Sequence, residues 1–306
     1  MKVRAIMNPR AGVRSPGTRE AVERGRPGWN DYAVELTREP GHATQLAREA
    51  VAVGADAVLA VGGDGTVNEV ARGLLGSSAA LGIVPVGSGN GLARALRLPL
   101  RAGRALAALE AAQRRPIDVA FLNQRLFLNV AGVGFDAAVG QAFHDHGRAG
   151  GRRGFLGYLR LCVRELRRFR AARLKVEVEG GETTEAAPFV LTFANGPQYG
   201  AGAVINPGAR LDDGRLELVL FEDRPRLGAL VDASRLFLGG LERSPHYRRL
   251  LLSSTATVTA EEALPVHVDG DPGPRSRRIE LLLRPRALAL LVPEATLRAA
   301  DGPFTG

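Results

Sequence analysis

The sequence predicts an α/β domain with a parallel sheet and flanking helices, followed by a β-rich, sandwich-like domain. In the first third of the chain, short apolar segments alternate with segments of helical periodicity, which is typical of βα units in a parallel sheet. After Pro116 the pattern changes to short strands separated by turns, as in domains built from two packed sheets. A length of 306 residues accommodates two domains of ordinary size.

The first domain is assigned to residues 1–116. Apolar, β-prone segments predict its strands, and apolar residues at three- and four-residue steps predict its helices. The strands are Val3–Met7, Tyr32–Leu36, Ala57–Val61 and Leu81–Val86, and the helices are Ala43–Val53, Thr66–Leu75, Asn90–Leu96 and Arg101–Ala112. Residues 293–306 have no clear period and could complete this domain.

The second domain is assigned to residues 117–292. It opens with a predicted hairpin in which Ile117–Leu122 and Leu126–Val130 flank the turn Asn123-Gln124-Arg125. A helical stretch follows from about Asp136 to Arg170, and a further helix is predicted at about Arg226–Leu238. The predicted strands are Leu174–Val178, Phe189–Ala194, Leu216–Phe221, Thr255–Thr259, Val266–Val268, Ile279–Leu283 and Ala287–Val292.

Composition excludes several classes of protein. The one cysteine, Cys162, excludes an intrachain disulfide framework and a cysteine-rich zinc site. No apolar run approaches the roughly 18 residues that span a bilayer, and the first residues lack the pattern of a signal peptide. We therefore expect a cytoplasmic protein, either soluble or attached peripherally to a membrane.

Positive charge is concentrated in one part of the chain. Lys and Arg number 41 against 32 Asp and Glu, and the block His144–Lys175 carries +8 of the net +9. Within it, residues 155–170 alternate apolar residues with arginines at helical spacing, which predicts an amphipathic helix with a cationic face. This face is either a solvated surface or a docking surface for anionic lipid headgroups. A nucleic-acid partner is not expected, because aromatic platforms for stacking bases are sparse.

The strongest motif is the glycine-rich loop that begins at Gly62-Gly63-Asp64-Gly65-Thr66. It connects a predicted buried strand to a predicted helix, so its backbone N–H groups and the helix N-terminus suit a phosphate. Asp64 would repel a phosphate unless a divalent cation lay between them, and we therefore expect Mg²⁺ there. The alternative interpretation is a tight turn in which Thr66 caps the helix.

Two further loops follow predicted strands. Asn8-Pro9-Arg10-Ala11-Gly12 follows the first strand, and Gly87-Ser88-Gly89-Asn90 follows the fourth. Because loops after parallel strands lie along one edge of the sheet, all three are expected at the usual ligand face of an open α/β sheet. The glycine spacing matches neither the Walker loop nor the dinucleotide fingerprint.

These loops, in this order, resemble the catalytic domain of the diacylglycerol kinase family, which includes bacterial lipid kinases and the sphingosine and ceramide kinases. The Gly-Gly-Asp-Gly-Thr loop is shared with NAD kinases and phosphofructokinases, so the resemblance implies that fold for the first domain. It extends over roughly Lys2 to Val292. It implies an ATP-dependent lipid kinase that uses Mg²⁺ and phosphorylates a hydroxyl of diacylglycerol or a related membrane lipid.

The resemblance assigns the nucleotide contacts to the loops and to Thr37. The loop residues are Asn8, Pro9, Arg10, Ala11, Gly12, Gly62, Gly63, Asp64, Gly65, Thr66, Val67, Asn68, Glu69, Gly87, Ser88, Gly89 and Asn90. It also assigns Asp64 and Asp118 to the catalytic Mg²⁺, directly or through water.

Two motifs of the second domain carry further assignments. Leu211-Asp212-Asp213-Gly214 resembles a segment that holds a structural Mg²⁺, which implies the Asp213 side chain and the main chains of Arg210 and Arg215 as ligands. Asp269-Gly270-Asp271 resembles the family's Asp-Gly-Glu motif, in which the glutamate is the general base, and Asp271 takes that place. Each motif also has the alternative interpretation of a hairpin turn.

Two departures from the bacterial pattern leave other functions open. Gly91 stands where many bacterial members have an aspartate, and Asp271 is one methylene shorter than glutamate. The alternatives are a soluble small-molecule kinase related to NAD kinases and a lipid- or nucleotide-binding paralogue without turnover. The sequence leaves the oligomeric state open, and a homo-oligomer is compatible with it.

Overall fold

Strands and helices alternate through the first part of the chain. The computed structural model describes residues 1–11, 17–148, 155–180, 183–222, 226–252 and 254–305. The elements up to residue 110 are β1 (Lys2–Met7), α1 (Thr18–Arg24), β2 (Asp31–Leu36), α2 (His42–Ala52), β3 (Ala57–Gly62), α3 (Asp64–Leu74), β4 (Ala80–Pro85), α4 (Gly91–Ala95) and α5 (Ala102–Glu110).

The remainder of the chain is dominated by strands. Its elements are β5 (Gln113–Leu122), β6 (Arg125–Phe127), β7 (Val130–Gly134), α6 (Phe135–Arg148), α7 (Phe155–Arg168), β8 (Leu174–Val178), β9 (Thr184–Ala186), β10 (Pro188–Ala194), β11 (Leu216–Glu222), α8 (Arg226–Leu238), β12 (Tyr247–Leu252), β13 (Thr255–Leu264), β14 (Val266–Val268), β15 (Asp271–Pro272), β16 (Ser276–Val292) and α9 (Glu294–Leu297). Two 3-10 turns lie at Gly200–Gly202 and Leu241–Arg243.

The first strands form a parallel sheet in the order β2-β1-β3-β4. Every residue of β3 and β4 is buried, as expected for central strands covered by helices on both faces. The apolar stripe of α2, which includes Leu46 and Ala50, packs into the same core. Because these strands are parallel, the loops after β1, β3 and β4 meet at one edge.

One long strand, β16, continues this sheet towards the second part of the chain. It runs parallel to β4 at Ala289 and Leu290 and antiparallel to β5 and β13. The sequence predicted two strands here, and the structure has one with an irregularity between Arg284 and Leu288. Arg286 adopts a positive φ of 50° at this bulge, which keeps both halves in the sheet.

The second sheet has the order β12-β11-β10-β7-β14-β15, and its neighbouring strands are antiparallel. Apolar residues of this sheet, such as Val133 and Leu218, share a core with Val258 and Ile279 of the first sheet. Two sheets therefore pack face to face. The predicted fold class, a parallel α/β unit followed by a sandwich-like unit, is confirmed.

Other predicted elements differ in detail. The helical stretch from Asp136 to Arg170 consists of α6 and α7, and residues 149–154 between them lie outside the described residues. Helix α1 and strand β12 were not predicted, because neither has a clear apolar period. Pro116, the predicted domain boundary, lies within β5, and Ile117 and Phe304 pack in the core of the first sheet.

Candidate active site

The loop after β3 leads directly into α3. The helix begins at Asp64 with Gly63 as its N-cap, two residues before the predicted start at Thr66. The alternative in which Thr66 caps the helix is therefore wrong. Thr66 is buried inside the first turn, where its side chain fills the space that a Cβ atom on Gly62 would need.

The loop after β1 lies beside this turn. The Asn8 side-chain amide donates a hydrogen bond to Thr66 Oγ1 at 3.3 Å, and Asn8 Oδ1 accepts one from the N–H of Arg10 at 2.9 Å. Pro9 and Arg10 are exposed. Thr37 follows β2, and its N–H donates to the Met7 carbonyl at 3.0 Å, which places it at the same edge. Ala11 is the last described residue of this loop, and Gly12 lies outside the described residues.

The loop after β4 packs against the loop after β3. A Cβ atom on Gly87 would lie 2.5 Å from the Gly63 α carbon, so only glycine permits this approach. Asn90, with a positive φ of 53°, closes the loop by accepting from the Gly87 N–H at 3.0 Å and donating to its carbonyl at 2.8 Å. Ser88 is exposed at the tip.

Asp64 joins the two loops. Its Oδ1 accepts a hydrogen bond from the N–H of Gly91 at 2.8 Å. Burial and the nearby carboxylate of Asp269 raise the pKa of Asp64 to about 6, although the Gly91 N–H opposes this shift. Asp271 contributes in the same direction, so the repulsion of two nearby acids adds to the effect of burial on this pKa. A divalent cation would relieve this repulsion.

The remaining residues of the α3 turn have structural partners. Val67 is buried in the core, and its N–H donates to the Gly63 carbonyl. Glu69 accepts from the Ala43 N–H at 3.1 Å and so satisfies a free donor at the start of α2. Asn68 donates a hydrogen bond to the Asp269 carboxylate. The described contacts of Val67 and Glu69 are packing and capping contacts, and their assignment to the nucleotide stays a prediction.

Asp271 of β15 lies against the first turn of α3, which follows β3 of the first sheet. A Cβ atom on Gly65 would stand 2.8 Å from Asp271 Oδ2, so the carboxylate occupies the space beside the glycine. Although the residue keeps an exposed surface, the surrounding protein raises the pKa of its carboxyl, mainly by desolvation. The positive charge of Arg125 opposes this shift and is the largest lowering contribution.

Asp269 anchors the turn that carries Asp271, and sequence reasoning gave it no role of its own. Its carboxylate accepts hydrogen bonds from the consecutive N–H groups of Leu128, Asn129 and Val130 at 2.8, 3.0 and 2.8 Å. Asp269 and Gly270 both adopt positive φ values, 47° and 85°. An Asp-Gly pair in the sequence predicts such a turn, but only the folded structure shows which N–H groups donate hydrogen bonds to the Asp269 carboxylate.

Asp118 belongs to a different cluster from the one that the resemblance implied. It is fully buried, and its two oxygens accept from the N–H groups of Gly214 at 2.6 Å and Arg286 at 2.8 Å. The acids that raise its pKa, after the effect of burial, are Asp213 and Asp212. The described contacts thus connect Asp118 with the Asp213 loop, and none of them reaches Asp64.

The Asp213 loop borders a polar cavity of about 480 Å³. Asp213 Oδ1 accepts from the Arg215 N–H at 3.0 Å, and burial raises the pKa of its carboxyl. The Arg210 side chain donates to the carbonyls of Gly302 and Phe304, which fixes the start of the loop. Among the residues that the structure describes, no group of three or more His, Cys, Asp or Glu side chains is arranged to hold a metal ion.

The fold and the loop-lined site define a two-domain protein of the NAD-kinase-like class. The Diacylglycerol kinase catalytic domain family matches residues 2–122, and the YegS C-terminal NAD kinase beta sandwich-like domain matches residues 129–292. A protein of Chromohalobacter salexigens named "Probable lipid kinase YegS-like" is 34% identical, with 92% of this chain and 90% of the relative covered. A Pseudomonas aeruginosa protein of the same name is 33% identical, with 93% and 92% covered. The chain belongs to this YegS-like lipid kinase family.

Solved structures agree with the fold. A diacylglycerol kinase from Bacillus anthracis superposes with a TM-score of 0.73 at 22% identity, covering 96% of this chain and 97% of the other. An NAD kinase from Archaeoglobus fulgidus in complex with ATP superposes with a TM-score of 0.52 at 15% identity, covering 95% and 94%. In the described ranges, none of the helices has the length and apolar character needed to cross a membrane.

Proposed function

We propose that the protein is an ATP-dependent lipid kinase that transfers the γ-phosphoryl group to a hydroxyl of diacylglycerol or a related lipid. The observation that carries this proposal is the contact between Asp271 and Gly65, which brings a candidate base from one sheet to the candidate nucleotide loop of the other. The names of the relatives support the lipid as the acceptor class.

The nucleotide would lie along the carboxyl edge of the parallel sheet. The first turn of α3 offers the phosphates N–H groups that have no acceptor within the helix and a partial positive charge, and the loops at Asn8 and Gly87 border it. The Asp64 carboxylate offers the oxygen ligand that Mg²⁺ prefers, and the negative charges of Asp269 and Asp271 nearby would favour a cation at this place. Asp64 would hold this ion directly or through water, and bound Mg²⁺ would supply charge neutralisation on the phosphates.

Asp271 would act as the general base. Its carboxylate takes the proton as the lipid O–H bond breaks, the hydroxyl oxygen forms a bond to the γ-phosphorus, and the bond from that phosphorus to the β,γ-bridging oxygen breaks, releasing ADP. Asp269 would hold the turn through its three N–H contacts, so that Asp271 stays beside Gly65. Arg125 would keep the base ionised.

The Asp213 loop is a candidate site for a structural Mg²⁺. The Asp213 side chain and the carbonyls of Arg210 and Arg215 are the expected ligands, and a bound cation would stabilise the Asp213 carboxylate, whose pKa burial raises. Asp118 would support this loop through the Gly214 N–H. The described contacts of Asp118 favour this role over a part in holding the catalytic ion.

The basic helix α7 is a candidate membrane contact. Arg160, Arg164 and Arg168 of this helix and Arg170 just after it are exposed, and Val163 keeps 39% of its surface exposed between them. Each basic residue near an anionic surface contributes on the order of 1 kcal/mol. We propose a cytoplasmic enzyme that docks peripherally on anionic lipid through this face.

A substrate panel tests the proposed function. Purified protein is incubated with labelled Mg-ATP and either diacylglycerol, sphingosine or ceramide in mixed micelles, or NAD and sugars in solution. We expect label in a lipid product and none in NAD or sugars. Phosphorylation of NAD or a sugar alone would favour the soluble-kinase alternative, and nucleotide binding without any product would favour the non-catalytic one.

A further inference from the structure

A buried polar chain crosses the face of the second sheet beneath α6. His267 of β14 is 3% exposed, and its Nε2 lies 2.9 Å from Asp136 Oδ2. The Tyr199 hydroxyl donates to the same oxygen at 2.8 Å. Thr192, fully buried on β10, forms a short hydrogen bond with the Tyr199 hydroxyl. None of these groups takes part in the proposed phosphoryl transfer.

The proton positions in this chain follow from the carboxylate. A carboxylate only accepts, so with Asp136 in that form Tyr199 and His267 donate to it, and Thr192 donates to Tyr199. In this arrangement the proton of His267 that faces Asp136 is on Nε2. Its Nδ1 is buried without a hydrogen-bond partner among the described residues. A buried polar atom without a hydrogen-bond partner destabilises the folded state, so His267 Nδ1 lowers the free energy of unfolding.

The sheet makes room for the contact at Gly132. This residue of β7 is paired with His267, and a Cβ atom on it would lie 2.5 Å from Asp136 Oδ2 and 2.9 Å from His267 Nε2. Any larger residue would separate the two side chains. Glycine in the middle of a sheet weakens the sheet. The Asp136–His267 contact therefore requires a residue at position 132 that is itself unfavourable for the sheet.

The two ends of the chain reach the two sides of the candidate active site. Tyr199 precedes Gly200, where a Cβ atom would lie 2.9 Å from the Gly89 α carbon, so the backbones of these residues are packed together. At the other end, His267 is paired with Pro272 in the β14–β15 hairpin, next to Asp271. One end therefore contacts the loop after β4, and the other supports the candidate base.

These contacts close into a ring. Asp64 accepts from the N–H of Gly91 at the start of α4, directly after that loop, and Gly65, the neighbour of Asp64, contacts Asp271. We propose that Tyr199, Asp136 and His267 are positioning residues that complete this ring within the second sheet and hold Asp271 at a fixed place relative to the nucleotide loops. This inference rests on the proposed function of Asp271 as the base.

The test compares Tyr199→Phe and His267→Ala with Tyr247→Phe. The control removes a hydroxyl from another partly buried tyrosine, in β12 of the second sheet, which packs on Phe221. In the lipid kinase assay we expect kcat of the first two variants to fall by about ten- to a hundredfold, as for a displaced catalytic group, with KM for Mg-ATP within about twofold. The double variant should be no slower than the slower single variant. His267→Gln, which retains a side-chain N–H donor, should recover part of the rate.

Hydrogen exchange gives a readout that does not depend on activity. In Tyr199→Phe we expect faster exchange of the backbone N–H groups over 266–272 than in Tyr247→Phe, with thermal stability of the two variants alike. Asp271→Asn is assayed in parallel. An active Asp271→Asn variant would show that Asp271 is not the general base, and the hydrogen-exchange result would still test whether Tyr199 and His267 hold the β14–β15 hairpin in place. Unchanged exchange over 266–272, or kcat equal to that of Tyr247→Phe, would overturn the proposal. If His267→Ala does not fold, Tyr199→Phe decides alone.

Discussion

The Asp271 carboxylate occupies the space in which Gly65 would carry a side chain, since a Cβ atom there would stand 2.8 Å from Oδ2. This contact joins the β14–β15 hairpin to the first turn of α3. It explains why the loop has glycine at its fourth position, after Gly62, Gly63 and Asp64. The absence of a side chain at Gly65 leaves space for the Asp271 carboxylate of the second sheet. This reason for a glycine is separate from phosphate binding.

Gly65→Ala should separate activity from stability. Alanine is favoured over glycine in a helix by up to about 1 kcal/mol, so thermal stability should be unchanged or raised. The new methyl group would displace Asp271, and we expect kcat to fall by at least about tenfold. Gly140→Ala in α6, where a Cβ atom meets nothing within 4 Å, is the matched control and should retain full activity. A fully active Gly65→Ala variant would show that the Asp271 contact does not matter.

The pH profile should report the environment of Asp271. A base must be ionised, so kcat/KM should fall as the pH is lowered through its pKa. Because that pKa is raised, the acidic limb should lie above the ordinary aspartate range of about 4. Arg125→Gln removes the largest opposing charge, while His144, His267 and Glu69 remain around the carboxyl, and the limb should move to higher pH. Arg277→Gln, which removes an exposed charge, should leave the acidic limb of the kcat/KM profile where it is in the wild type. An acidic limb that does not shift in Arg125→Gln would contradict the assignment of the limb to Asp271.

Asp118→Ala should destabilise the fold. The change leaves the N–H groups of Gly214 and Arg286 without their acceptor in a buried site, at a cost of about 1–3 kcal/mol for each donor. Asp301→Ala breaks an exposed ion pair with Arg97 and should cost less than about 1 kcal/mol. Urea unfolding in EDTA measures both free energies of unfolding. Equal values for the two variants would mean that Asp118 does not hold these loops together.

Membrane docking through α7 should depend on its arginines. Arg168→Gln combined with Arg170→Gln removes two exposed charges, and binding to vesicles rich in phosphatidylglycerol should weaken by roughly tenfold or more. Arg101→Gln combined with Arg104→Gln removes two exposed charges elsewhere and should have little effect. Sedimentation with vesicles at low and high salt measures the difference. Identical losses in the two double variants would indicate a general charge effect and no docking surface on α7.

The sequence was sufficient to predict the alternating strands and helices and the meeting of three loops at one edge, because apolar period and parallel pairing determine both. It was not sufficient for β16, where Arg284-Pro285-Arg286 has the sequence features of a turn but forms a bulge within one strand. Contacts between distant residues were also hidden. Asp118 meets Gly214 and Arg286 only after folding, and the Asp136–His267 contact joins residues 131 positions apart.

The most direct measurement is the rate of lipid phosphorylation by the wild type and by Asp271→Asn under the same conditions, with Mg-ATP and a lipid acceptor in mixed micelles. Asparagine keeps the size of the side chain but cannot accept the proton, so we predict a loss of kcat of about 10²- to 10⁴-fold with nucleotide binding retained. An Asp271→Asn variant that phosphorylates lipid at most of the wild-type rate would contradict the account.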